Sequence, residues 1–154
     1  MDKILKRVVL KEELVALTGC PIKAIILSQL LYWQERTNDI DKYIIEEQTR
    51  AKYASSKVNI SLTKGWIYKG AEELAEELMN IQAPRSITRK LKELVEVGYL
   101  ESRNNPCNNW DKRLQYRVNI IKVKIYLYKL GYALEGYNLL NNSTFPALKC
   151  WDEH

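Results

Sequence analysis

Histidine is all but missing from this chain: the only one, His154, is its last residue. A serine–histidine–aspartate set is therefore not expected, nor is a mixed cysteine–histidine zinc site. Cysteine is sparse as well. Cys20, Cys107 and Cys150 are far apart, odd in number and without CxxC spacing, the pattern of free thiols in a reducing compartment. No run of about 18 apolar residues exists, so no bilayer span is expected. The charged N-terminus lacks the apolar core of a signal segment, which points to the cytoplasm. Neither a phosphate loop nor a GxGxxG is present. The carboxylates of Glu72, Glu73, Glu76 and Glu77 lie along a solvated helix face, unlike those gathered around a nuclease metal. No enzyme, cofactor, metal or small-molecule ligand is expected from these absences.

What the chain does have is a basic balance and enough apolar residues for one core. Its 154 residues, 46% hydrophobic and 28% charged, suit a single ordinary globular domain. A net charge of +5 and a pI of about 9.0 raise the expectation of a nucleic-acid partner without deciding it.

The informative stretch is residues 70–119. Gly70 to Met79 places Ala71, Leu74, Ala75 and Leu78 on one helical face, with Glu72 and Glu73 at the positive end of the helix dipole. Asn80 to Ala83 makes a short turn. A basic helix follows from Ala83 to Val97, with Pro84 suited to its first position and Gly98 to a left-handed cap. Ile87, Leu91, Leu94 and Val95 form its buried stripe. That leaves Arg85, Ser86, Arg89 and Lys92 on or beside the outer face, flanked by Thr88 and Lys90. Residues 99–103 and 114–119 alternate as half-buried strands around the turn cluster Asn104 to Asn109. Helix, turn, helix, hairpin is the winged-helix order. The fold expected is mainly α with a small β-sheet (α+β): a three-helix core, a hairpin wing, and additional N- and C-terminal elements.

Charge separates along this stretch. Between Gln82 and Arg117 there are eight cations and four acids, whereas the preceding helix carries four glutamates. That asymmetry favours a polyanion, with double-stranded DNA the first reading. Arg85, Ser86, Thr88 and Arg89 are the candidates for bases or flanking phosphates. Lys90, Lys92, Arg103, Lys112 and Arg113 are the candidates for gripping phosphate. A solvated basic face, a protein-contact module and an RNA-binding module are the alternatives.

Before this stretch, Leu10, Leu14 and Leu17 suggest a short inward-facing helix, ended at Gly19 and restarted at Pro21. The next helix, Pro21 to about Arg36, is apolar around most of its circumference and is read as the central buried helix. Tyr32 and Trp33 are read as core in preference to base-stacking residues. Residues 37–64 read as a partly helical insertion, and Gly65 to Tyr68 as a short strand pairing with the hairpin. Trp110 is read as closing the hairpin base in preference to stacking on a sugar. From Ile120 to Leu130 the pattern suits a packed helix or an extended strand equally. Residues 1–120 thus form the expected DNA-binding domain. Residues 121–154 form an extension, for homodimerisation or for covering the domain's open side.

Several of these segments carry a family resemblance. Trp66-Ile67-Tyr68-Lys69, the acidic helix Ala71 to Leu78, Pro84 with Ile87-Thr88-Arg89-Lys90-Leu91, Gly98-Tyr99-Leu100, and Trp110-Asp111 with Leu114 to Asn119 together resemble the winged helix-turn-helix proteins of bacterial phages and mobile elements. They are similar in particular to the N-terminal domain of phage replication initiators (replisome organisers). Leu17-Thr18-Gly19-Cys20-Pro21 and Gln29-Leu30-Leu31-Tyr32-Trp33 fit the same pattern, so the resemblance spans Lys11 to Asn119. Ala83 departs from it where the family tends to place a serine cap, at a cost of about 1 kcal/mol of helix stability. Gly70 likewise replaces a hydroxyl cap. The resemblance implies replication initiation first and transcriptional regulation second. An initiator of this type usually carries a further domain for recruiting helicase machinery, which a chain of this length is not expected to hold.

Overall fold

The computed structural model describes residues 5–53, 64–106, 110 and 114–133. It is mostly helical, with one small antiparallel sheet. Helix α1 (Glu12–Thr18) buries Leu14 and ends at Gly19, whose φ of 70° is the left-handed geometry expected there. The Thr18 hydroxyl donates to the Leu14 carbonyl at 2.8 Å and accepts the Cys20 N–H at 3.3 Å, which fixes the turn into the next helix. Leu10 faces solvent, contrary to its expected inward position, because it lies in the extended lead-in before α1.

Helix α2 (Pro21–Tyr53) does not stop near Arg36 as its apolar pattern suggested; it continues unbroken for 33 residues. Glycine and proline are absent between Pro21 and Gly65, so no residue interrupts the backbone ladder. Thr37 donates its hydroxyl to the Gln34 carbonyl at 2.7 Å, so a side chain that can mark a helix boundary is satisfied within the helix. Ala24, Ile26, Leu27, Leu30 and Leu31 are buried, and Trp33 is half-buried against the core. Tyr32 is exposed, which corrects the core reading for that member of the pair.

Helix α3 (Ala71–Glu77) turns into helix α4 (Pro84–Val97) through Met79 and Asn80, both at positive φ. The Asn80 N–H reaches the Ala75 carbonyl at 2.8 Å, closing the end of α3. Strands β1 (Leu100–Asn104) and β2 (Leu114–Val118) pair antiparallel with Leu100 opposite Val118 and Asn104 opposite Leu114. The expected short strand before α3 is present as a single bridge, in which Ile67 and Tyr116 exchange backbone bonds of 2.7 and 2.9 Å. Helix α5 (Ile120–Lys129) resolves the ambiguity of its β-branched sequence. Asn119 caps it by accepting the Lys122 N–H at 3.1 Å, and Val123 and Leu127 bury one face.

All these elements meet in one core, where Leu14, Ile26, Leu30, Leu74, Ile87, Leu91, Leu94, Leu100, Val118, Val123 and Leu127 are fully or almost fully buried. Each contributes about 1.5–3 kcal/mol of burial. Among the described residues no single helix is long and apolar enough to cross a membrane.

Candidate nucleic-acid interface

Burial of Ile87, Leu91 and Leu94 against the core decides which face α4 turns outward. Arg85, Thr88, Arg89 and Lys92 are exposed on that opposite face at helical spacing. No hydrogen bond or ion pair to a described residue ties down Arg85, Arg89 or Lys92, and acids are absent from the first turn of α4. Ala83 provides no side-chain cap, so the first amides of the helix add partial positive charge beside Arg85.

The other sequence candidates on α4 are less free. Ser86 is half-buried and donates its hydroxyl to Gln82 Oε1 at 2.7 Å, and Thr88 donates its hydroxyl to the Pro84 carbonyl at 3.0 Å. Lys90 is half-buried on the flank, where its charge acts on Cys20, just before α2, and on Glu93. Burial pushes the Cys20 thiol up. The Lys23 and Ile22 amides, with Lys90 and Lys23, outweigh this and hold it below its ordinary value. Cys20 is a free thiol, whereas Cys107 and Cys150 lie outside the described residues.

The hairpin supplies a second patch. Arg103, expected to meet phosphate, is half-buried: Nε donates to Gln115 Oε1 at 2.7 Å, and its guanidinium lies 4.3 Å from the Trp66 ring centre. Arg117 lies over the same ring at 4.4 Å and pairs with Glu101 at 2.6 Å. Sequence reasoning missed this cluster although its signal was available. Ile67 points inward, so strand alternation puts Trp66 on the sheet face that carries Arg103 and Arg117. Trp110, read as closing the hairpin base, is instead 92% exposed. Lys112 and Arg113 lie outside the described residues.

Side-chain contacts centred on Lys23, Lys122 and Glu77 hold this surface in place. Lys23 of α2 pairs with Glu93 of α4 at 2.6 Å, holding the Glu93 carboxyl below the usual range. Lys122 of α5 donates to the Val97 carbonyl at 2.8 Å, a cation at the negative end of α4. Glu77, at the end of α3, accepts from Gln29 at 2.9 Å, from the Trp33 indole at 3.0 Å and from Lys69. The Lys69 ammonium also lies 3.8 Å from the Trp33 ring centre.

Among the described residues no group of three or more His, Cys, Asp or Glu is placed to hold a metal ion. Among the described residues, the basic face of α4 stands beside an arginine-bearing hairpin. Comparison with known proteins adds no relative: no protein-family model, curated protein or solved structure matches this chain.

Proposed function

We propose that the chain binds double-stranded DNA as a winged helix-turn-helix protein, with α4 in the major groove and the β1–β2 hairpin as its wing. The observation that carries this reading is the row Arg85, Arg89 and Lys92, exposed on one helix face with no hydrogen bond or ion pair to a described residue. A 14-residue helix is about 21 Å long, and a major groove about 12 Å wide admits it side-on. Arg85, Thr88 and Arg89 lie toward the end that enters the groove. Lys92 grips the phosphate backbone, and Arg103 lends charge from its place on Trp66. Replication initiation of a phage or mobile element is the process proposed, on the strength of the sequence resemblance. Transcriptional regulation through the same contacts is the second process.

Self-association through α5 belongs to this proposal, because Ile121 and Tyr128 stand exposed on it and Leu130 at its C-cap. A protein-contact reading is favoured by one observation: Met79, Ile81 and Val97 expose apolar side chains at the two ends of the α4 face. Selection of bound fragments from random duplexes, with stoichiometry measured on the selected site, tests these readings together. The DNA reading predicts an enriched site whose affinity falls steeply with salt, and a two-fold symmetric site indicates a dimer. Absence of any DNA shift at moderate salt overturns it in favour of the protein-contact reading.

A further inference from the structure

A cavity of about 580 Å³ opens between the extended N-terminal lead-in and the middle of α2, away from the outer face of α4. Its size suits a small organic molecule. Tyr32 and Trp33 line it and meet edge to face, with ring centres 5.3 Å apart and planes at 79°. Arg36 lies 4.3 Å from the Tyr32 ring centre and Lys69 3.8 Å from that of Trp33, so a cation covers one face of each ring in this aromatic corner. Ser28 also lines it. That residue is only 9% exposed, and no described group hydrogen-bonds its hydroxyl. An unbonded hydroxyl on a mostly buried residue lining a void offers a donor to whatever enters.

The charges around the cavity decide the sign of the ligand. Glu77 reaches its wall, but that carboxylate is satisfied by Gln29, Trp33 and Lys69. Lys6 is held by the Glu76 carbonyl at 3.1 Å. Arg7 and Lys11 remain without a described partner, against the single unpaired acid Glu35. Two available cations, an aromatic corner and the unbonded Ser28 hydroxyl line one void. We propose that this cavity is a binding site for a small planar organic anion, its ring against Tyr32 and Trp33 and its acidic group between Arg7, Lys11 and Ser28. The site is independent of the DNA reading.

Fluorescence titration of the full chain with two dyes of the same ring system tests the proposal. One is 8-anilino-1-naphthalenesulfonate, an aromatic anion; the other is N-phenyl-1-naphthylamine, which lacks the sulfonate. The expected result is saturable one-to-one binding of the sulfonate, with the uncharged dye about tenfold weaker or more. Arg7→Ala with Lys11→Ala should weaken the sulfonate about tenfold and leave the uncharged dye unchanged. Arg7 is exposed, and Lys11 is half-buried but caps α1 through its backbone carbonyl only, so the double variant leaves the core in place. Arg85→Ala with Arg89→Ala should leave both dyes unchanged, which separates this site from the DNA surface. The indole N–H resonance of Trp33, identified by its loss in Trp33→Phe, should move with the same saturation curve. Equal binding of the two dyes overturns the proposal. So does sulfonate binding insensitive to Arg7 and Lys11, or a stationary Trp33 resonance at saturation.

Discussion

Gln34 and Val118 exchange a pair of hydrogen bonds: Gln34 Nε2 donates to the Val118 carbonyl at 3.2 Å, and Gln34 Oε1 accepts the Val118 N–H at 2.7 Å. A side-chain amide from α2 thus acts as a strand neighbour to β2. Ile67 pairs with Tyr116 two residues earlier on the same strand, and Gln34 continues the pairing at Val118. The amide joins the central helix to the sheet within the core, and Gln34 is only 5% exposed.

Gln34→Leu should therefore destabilise the fold although it adds apolar surface. It leaves the Val118 N–H and carbonyl without partners, at about 1–3 kcal/mol for each buried group. Urea unfolding at neutral pH measures the loss. A variant as stable as the wild type would show that water or a backbone shift replaces the amide.

Glu77 predicts a dependence on pH. Burial pushes its carboxyl up, but hydrogen bonds from Lys69, Gln29 and Trp33 outweigh burial and hold it below its ordinary value of 4.5. A carboxylate with a depressed pKa in the folded state contributes stability that is fully present above the unfolded value. That stability is lost as pH falls through the folded value. The stability advantage of wild type over Glu77→Gln should accordingly shrink as pH falls below the glutamate range of about 4, measured by urea midpoints across pH. An advantage constant through that window would contradict the assignment.

Gly98 and Lys122 make a linked pair. Gly98 has a φ of 90°, and a Cβ there would meet the Lys122 ammonium. Gly98→Ala should cost about 1–2 kcal/mol from the left-handed backbone alone, with displacement of Lys122 from the Val97 carbonyl adding to it. In a Lys122→Ala background the same substitution should cost less but still be unfavourable. Thermal unfolding of the four proteins completes the cycle, and strict additivity would mean the two residues are not coupled.

Arg85→Ala with Arg89→Ala should weaken binding to a selected DNA site by about 1–3 kcal/mol for each base that an arginine no longer reaches, read by fluorescence anisotropy. Lys92→Ala should weaken all sequences alike and lower the salt slope by about 1. A double arginine variant that binds its site as well as wild type would remove α4 from the groove.

Much of the region around α4 was readable without coordinates. Pro84 and Gly98 bound the helix where their backbone preferences put them, and the three most buried residues of α4 all belong to the apolar stripe. Ile67 pairs with the hairpin as the short strand Gly65 to Tyr68 was expected to do. The reading failed where local preference and long-range packing diverge. The apolar stripe of α2 thins after Arg36 while the helix continues, because nothing in the chain interrupts its backbone ladder. Trp110 promised a large apolar area, yet that area is left in solvent at the hairpin tip.

Periodicity and capping residues are local, so the order of residues alone determined the limits of α4, its inward stripe and the basic character of its other face. Tertiary structure alone decided that Gln34 would serve β2, that Lys122 would reach the Val97 carbonyl, and that a cavity would open beside Ser28. These pairings join residues far apart in the chain. Their partners depend on how the helices and strands pack, and periodicity along one segment carries no record of that.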